Sequence, residues 1–150
     1  MIKLMITWRH NPELGAEACD EHYYSEHTAM ALAVLADVPG FLRYTQNTVE
    51  RHFVHQHNRR DTQDREPEFH TMIELYFTDE AALEQVFGRP EMDLMFADHP
   101  NFMDSTADPS QKVYVLRERL ALERSLDGTL MAPTEVADLA YDWPSRGEGR

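Results

Sequence analysis

Four short strand-like runs, interrupted twice by helical stretches, constrain this chain more than any other feature it has. The first is "IKLMITW", Ile2 to Trp8, where Ile2, Leu4, Ile6 and Trp8 alternate with the remaining positions. The turn signals of "RHNPELG" follow, and Ala16 to about Leu35 reads as a helix that stops before "DVPG". Gly40 to Val49 is a second strand, rich in aromatic and β-branched residues, and Phe69 to Phe77 a third. "TDEAALEQVF" is a helix that Thr78 or Asp79 can cap, and "RPEMDLMFADHPNFMD" a second short helix followed by a bend. Gln111 to Leu122 is the fourth strand. The order β-α-β-β-α-β predicts an α+β, ferredoxin-like fold: a four-stranded antiparallel sheet with its helices on one face.

Strand three carries a further implication. Phe69, Thr71, Ile73, Leu75 and Phe77 form one face, whereas His70, Met72, Glu74 and Tyr76 form a half-apolar second face. Helices cover one side only, so the second side calls for another cover. A second copy of the sheet is the simplest, which predicts a homodimer packed sheet to sheet. The boundary is placed after residue 126. Residues 127–150 read as an extended arm, with Leu139, Tyr141 and Trp143 available to pack over a partner. Glu50 to Glu68, containing His52, His55 and His57, reads as a strand extension plus a long loop.

The formal net charge of −13 repels phosphate backbones and anionic lipid, which argues against nucleic acid and membrane partners. No apolar run approaches about 18 residues, and "MIKLMITWRH" lacks the layout of a secretory signal. A single cysteine, Cys19, rules out an internal disulfide framework and fits a cytoplasmic protein. There is no Gly-rich phosphate loop, Ser-centred nucleophile elbow or His-Glu-x-x-His pattern.

The chemistry-bearing stretch is "DEHYYSEHTAM", Asp20 to Met30. By helical spacing Cys19, His22, Tyr23, Glu26, His27, Met30 and Val34 fall on or near one stripe, which Cys19, Met30 and Val34 mark as buried. Tyr23 and His27 point inward one turn apart, with His22 at the edge. Two readings stand side by side: core residues whose polar atoms find partners, or the lining of a pocket shared with Tyr44, Gln46 and Asn47 of strand two.

Three stretches resemble the EthD domain family of the dimeric α/β-barrel superfamily. They are "MIKLMITWRHNPELGAEACDEHYYSEH", "PGFLRYTQNTV" and "IELYFTDEAALEQVFGRPEMDLMFADHPNFMD", which together span about residues 1–122. Relatives of this fold include polyketide cyclases, dehydratases, decarboxylases and isomerases, most of them working without metal or organic cofactor on enolisable acids. In several, an inward histidine of the first helix is the proposed acid–base group, and His27 stands there. Tyr23 replaces the more usual Trp and Cys19 the usual Phe, which removes bulk beside His27.

The resemblance thus implies a cofactor-free, metal-free enzyme that moves protons on a small enolisable acid from aromatic catabolism or polyketide synthesis. Isomerisation, cyclisation and dehydration are equally compatible. Histidine is the base, and tyrosine hydroxyls or an Asn amide stabilise the enolate. The catalytic candidates are His27, Tyr44 and Glu74, the last to orient His27 or act as a second acid–base group. The candidate substrate contacts are Trp8, Arg9, His22, Tyr23, Asn47 and His52. Trp8, Met72 and Tyr76 are candidate apolar walls, and Arg9 and Arg43 candidate carboxylate anchors. Asp98 and His99, beside a Pro bend, are expected to support the site or the fold. The alternatives are a non-catalytic ligand-binding or accessory protein of a degradative gene cluster, and a haem-binding relative with an axial histidine.

Overall fold

In the computed structural model, residues 1–57 and 60–137 are described. The chain forms two compact units, Met1–Arg117 and Glu118–Arg150. The first contains β1 (Ile2–Trp8), α1 (Ala16–His22), a π-helical turn (Tyr23–His27), α2 (Thr28–Leu35) and β2 (Phe41–Thr48). There follow β3 (Phe53–His55), β4 (Thr62–Asp64), β5 (Thr71–Phe77), α3 (Glu80–Phe87), α4 (Glu91–Asp98), a 3-10 turn (His99–Asn101) and β6 (Gln111–Leu116). The main sheet has the order β2-β5-β1-β6, with every neighbouring pair antiparallel. This is the ferredoxin-like α+β arrangement.

The two-residue period of the strands decides what each face does. Leu4, Ile6 and Trp8 of β1 and Ile73, Leu75 and Phe77 of β5 turn toward the helices and are buried. Cys19, Ala31, Val34 and Leu35 of the first helical region and Ala82, Val86 and Met92 of the second close over them. Each fully buried aliphatic or aromatic side chain stabilises such a core by about 1.5–3 kcal/mol relative to exposure. Asp79 caps α3, its carboxylate accepting from the Ala82 N–H at 2.9 Å.

Gly40 is required by a close approach. A Cβ there would lie 2.3 Å from the Cβ of Ala82 and 2.7 Å from Oγ1 of Thr78. Gly40→Ala should therefore destabilise the fold by about 1–3 kcal/mol, the usual cost of overpacking. A denaturant melt checks this, and an unchanged midpoint would mean that α3 shifts freely.

Several boundaries differ from the sequence reading. The polar stretch after β2 is not simply a loop: β3 and β4 pair as a hairpin, with Phe53 opposite Asp64 and His55 opposite Thr62. β6 ends at Leu116, and β7 (Glu123–Arg124) pairs with β8 (Leu130–Met131) in the second unit, followed by α5 (Thr134–Ala137). The arm is thus partly structured, because Ser125, Asp127 and Gly128 make a tight turn: the Gly128 N–H donates to the Ser125 carbonyl. Leu139, Tyr141 and Trp143 lie outside the described residues. Among the described residues no helix is long and apolar enough to cross a membrane.

Candidate active site

Between the helices and the sheet lies a cavity of about 680 Å³, part of it open to solvent. Its walls come from every layer: Trp8 of β1, Val34 of α2, Leu75 of β5, Phe87 of α3, Met95 of α4 and Val113 of β6. Its polar lining groups are Tyr23, His27, Tyr44, His99 and Gln111.

Tyr23 and His27 reach the cavity from the π-helical turn. The Thr28 N–H bonds back to the Tyr23 carbonyl, five residues away, and the Thr28 hydroxyl donates to the same oxygen at 2.7 Å. The widened turn keeps both side chains on the buried face, Tyr23 at 2% and His27 at 6% exposure. Their rings stack with centroids 5.7 Å apart, and Phe102 packs against His27 at 4.5 Å. His27 is thus buried, hydrogen-bonded and part of a cavity wall that Tyr44 shares but Gln46 and Asn47 do not.

The partner of His27 is Asp98, at the end of α4. Nδ1 of His27 lies 2.8 Å from Oδ2 of Asp98. Nε2 of His22 lies 2.9 Å from Oδ1 and 3.0 Å from Oδ2, and Asn101 donates to Oδ1 at 2.8 Å. Burial pushes the Asp98 carboxyl up, but the hydrogen bonds from Asn101, His27 and His22 outweigh it and hold the pKa below the ordinary value. An ionised carboxylate only accepts, so Nδ1 of His27 carries the hydrogen and Nε2 is left with its lone pair. Burial lowers the pKa of His27 against the opposing pull of Asp98, so the ring is a neutral base at neutral pH.

A second network stands on β2. The hydroxyls of Tyr23 and Tyr44 are 2.6 Å apart, and the Gln46 amide donates to Tyr44 at 3.2 Å and to Thr28 at 2.8 Å. Burial raises the pKa of both phenols, so each remains a proton donor. His99, also on the cavity, is depressed to about 4 by burial and by His27.

Trp8, Tyr23, His27 and Tyr44 are thus brought together around the cavity, Trp8 edge-on to Tyr23 at 4.9 Å, whereas His22 does not line it and instead bonds Asp98. The other expected site residues do not line it either. Glu74 lies on the opposite face of the sheet, 2.6 Å from Nζ of Lys3 and 3.1 Å from the Thr45 hydroxyl. It does not orient His27; Asp98 does. Asn47 shares that opposite side and donates to the Met72 carbonyl, because strand alternation that turns Tyr44 and Gln46 toward the helices turns Asn47 away. Met72 and Tyr76 follow the same parity and do not line this cavity; Met72 lines a second, more open hollow with Asn47 and His52. Arg43 lies over the Tyr76 ring, 5.5 Å from its centroid. Arg9 donates to the Pro67 and Glu68 carbonyls, and Nδ1 of His52 lies 2.8 Å from the Glu66 carbonyl oxygen, both away from the cavity. Among the described residues no group of three or more His, Cys, Asp or Glu side chains is placed to hold a metal ion.

Burial and the neighbouring His10 and Arg9 also depress His70. His27, His70 and His99 are thus less basic folded than in the unfolded chain, where each ionises near 6.5. As pH falls below 6.5 the unfolded chain takes up protons that the folded one refuses, so stability is lost with falling pH. For His99 the loss runs down to about 4. Carboxylates with lowered values, Glu74 and Asp98, act below their ordinary values of 4.5 and 3.8. The melting temperature should fall between pH 6.5 and 4.5, and less steeply in His99→Phe. A flat wild-type profile over that window would contradict this.

The fold and the cavity together define a ferredoxin-like α+β protein with a histidine–aspartate pair set against an apolar pocket. Residues 11–106 match the EthD domain family, and the chain belongs to that family. Among solved structures it is similar to an ethyl tert-butyl ether D (EthD) family protein from Bacillus halodurans, with 22% identity and a TM-score of 0.52 over 79% of this chain and 99% of that one. It is also similar to a dimeric ferredoxin-like protein of unknown function from Jannaschia, with 14% identity and a TM-score of 0.55 over 78% and 98%. A third is HapK from Hahella chejuensis, with 12% identity and a TM-score of 0.51 over 79% and 93%. These likenesses carry the fold alone. No curated protein matches the chain.

Proposed function

We propose that this protein is a cofactor-independent proton-transfer enzyme acting on an enolisable compound, in an isomerisation, cyclisation or dehydration. The observation that carries this reading is the 2.8 Å bond between Nδ1 of His27 and Asp98 in a wall of the cavity. Nε2 of His27 removes a proton from a carbon next to a carbonyl, and the C–H electron pair moves into the enolate. The imidazolium that forms is stabilised by Asp98, which stays ionised. The Tyr23–Tyr44 pair donates a hydrogen bond to the enolate oxygen. His27 then returns the proton to another atom of the substrate, or to a leaving hydroxyl. Nothing in this sequence of steps consumes an oxidant or a cofactor.

The test is deuterium exchange. Incubation with β-tetralone, a neutral ketone with an acidic benzylic position, in deuterated buffer should show protein-dependent loss of that proton by NMR. Exchange no faster than in buffer alone, or equal exchange by His27→Gln, would contradict the reading.

The active form in this proposal is a homodimer. Met5, Met72, Tyr114 and Leu116 face away from the helices, and a second copy packed sheet to sheet covers them. The similar Jannaschia protein is described as dimeric. Sedimentation at micromolar concentration should give twice the 17.5 kDa chain mass. A folded 17.5 kDa species would contradict the dimer.

A further inference from the structure

The cavity tells what charge its ligand carries. Among the described residues, no Lys, Arg, Asp or Glu lines it. The two arginines that sequence reasoning offered as carboxylate anchors are engaged elsewhere, Arg9 with backbone carbonyls and Arg43 over Tyr76. The formal charge bound to the polar wall is negative: Asp98, behind His27. Asp98 is itself saturated by His27, His22 and Asn101, so it offers little to a ligand cation.

The polar groups that do face the cavity are neutral and few. The tautomer fixed by Asp98 makes Nε2 of His27 an acceptor. The tyrosine pair supplies a donor by simple proton counting. One phenolic hydrogen is used in the Tyr23–Tyr44 bond, whichever hydroxyl gives it. The Gln46 amide donates to Tyr44 and uses none. A single phenolic hydrogen is left, and among the described residues neither hydroxyl has a further acceptor. Walls such as Met92, Met95, Phe96 and Val113 surround this acceptor and donor with thioether, aromatic and aliphatic surface.

We infer that the ligand of this cavity is an uncharged, largely apolar compound bearing a carbonyl or hydroxyl oxygen, rather than a carboxylic acid. Its oxygen takes the spare phenolic hydrogen, and its acidic hydrogen faces Nε2 of His27. A carboxylate entering the same space loses its hydration, gains no cation and meets the field of Asp98. The inference rests on the proton-transfer reading for the identity of the site, but concerns binding alone.

Calorimetric titration with β-naphthol and with β-naphthoate at neutral pH tests it, since the two share a ring system and differ in charge. β-Naphthol should bind about tenfold or more tightly than β-naphthoate, the scale expected for an unpaired buried carboxylate. Met95→Lys, which adds an ammonium to the wall, should narrow or reverse that order. Circular dichroism establishes that the variant is folded; should it fail to fold, Val113→Lys makes the same test from β6 at a half-exposed position. Equal or tighter binding of β-naphthoate to the unsubstituted protein, no binding of either probe, or an order unchanged in a folded lysine variant would each overturn the inference. β-Naphthol binding together with absent β-tetralone exchange would leave the ligand class standing and remove the catalytic reading.

Discussion

His27→Ala should lower proton exchange per folded molecule by roughly 10²-fold or more, the scale for losing a general base. The same substitution costs about 1–3 kcal/mol of stability, because Asp98 loses one of the donors that hold its charge. The two effects must be separated, since His27 is at once 6% exposed and a wall of the cavity. Exchange and thermal denaturation measured on one sample do so. A loss of exchange no larger than the loss of folded protein would make His27 a structural residue and nothing more.

Asp98→Asn should be as damaging, for a different reason. An amide can turn its NH₂ group toward Nδ1, and the imidazole then carries its hydrogen on Nε2, where the lone pair is needed. A loss of roughly 10²-fold or more is expected with substrate binding little changed. The pH profile gives an independent check. The hydrogen bond and charge of Asp98 raise the His27 pKa against burial, so their removal lowers it further. The rate rises as His27 loses its proton, so the acid limb of the profile should move to lower pH in Asp98→Asn. A limb that stays in place or moves upward would mean that Asp98 does not act on His27.

What the sequence revealed and what it hid follow from the range of the interactions. Local periodicity is visible in a single chain. The alternation in Ile2 to Trp8 and Thr71 to Phe77, and the helical spacing of Cys19, Tyr23, His27 and Val34, carry the fold and the buried face directly. The same two-residue period, applied to β2, would have separated Asn47 from Tyr44 and Gln46, and applied to β5 it puts Glu74 with Lys3 across the sheet from His27. Asn47 is misplaced when polar residues are grouped by proximity in sequence rather than by parity; Glu74, which the alternation already sets on the second face, is misplaced when that face is taken for the pocket side. The Asp98 pairing has no such local signature. It joins residues 71 positions apart, and only the packing of α4 against the first helical region brings them together. "ADHPNF" gave a hint, an acid and a histidine ahead of a helix-ending proline, and the structure puts both on the His27 side. The π-helical turn was hidden as well, because it differs from an α-helix by a single shifted backbone bond.

The Tyr23–Tyr44 pair shows the same division. The sequence placed both phenols inward, but their contact depends on the exact height of Tyr44 against Leu75 in the sheet. The bulge between Phe41 and Arg43 sets that register. A one-residue slip would have turned Tyr44 to the far face and left the Tyr23 hydroxyl without its partner.

The claim on which all of this depends is that His27 presents an unprotonated Nε2 to the cavity while Asp98 holds its Nδ1 hydrogen. Nitrogen-15 NMR of the histidine side chains, assigned with His27→Gln and followed across pH, reads that state without any substrate. A neutral His27 ring is expected at neutral pH in the Nδ1–H tautomer, with a midpoint below the ordinary 6.5. An Nε2–H tautomer, or a ring still protonated at neutral pH, would contradict it.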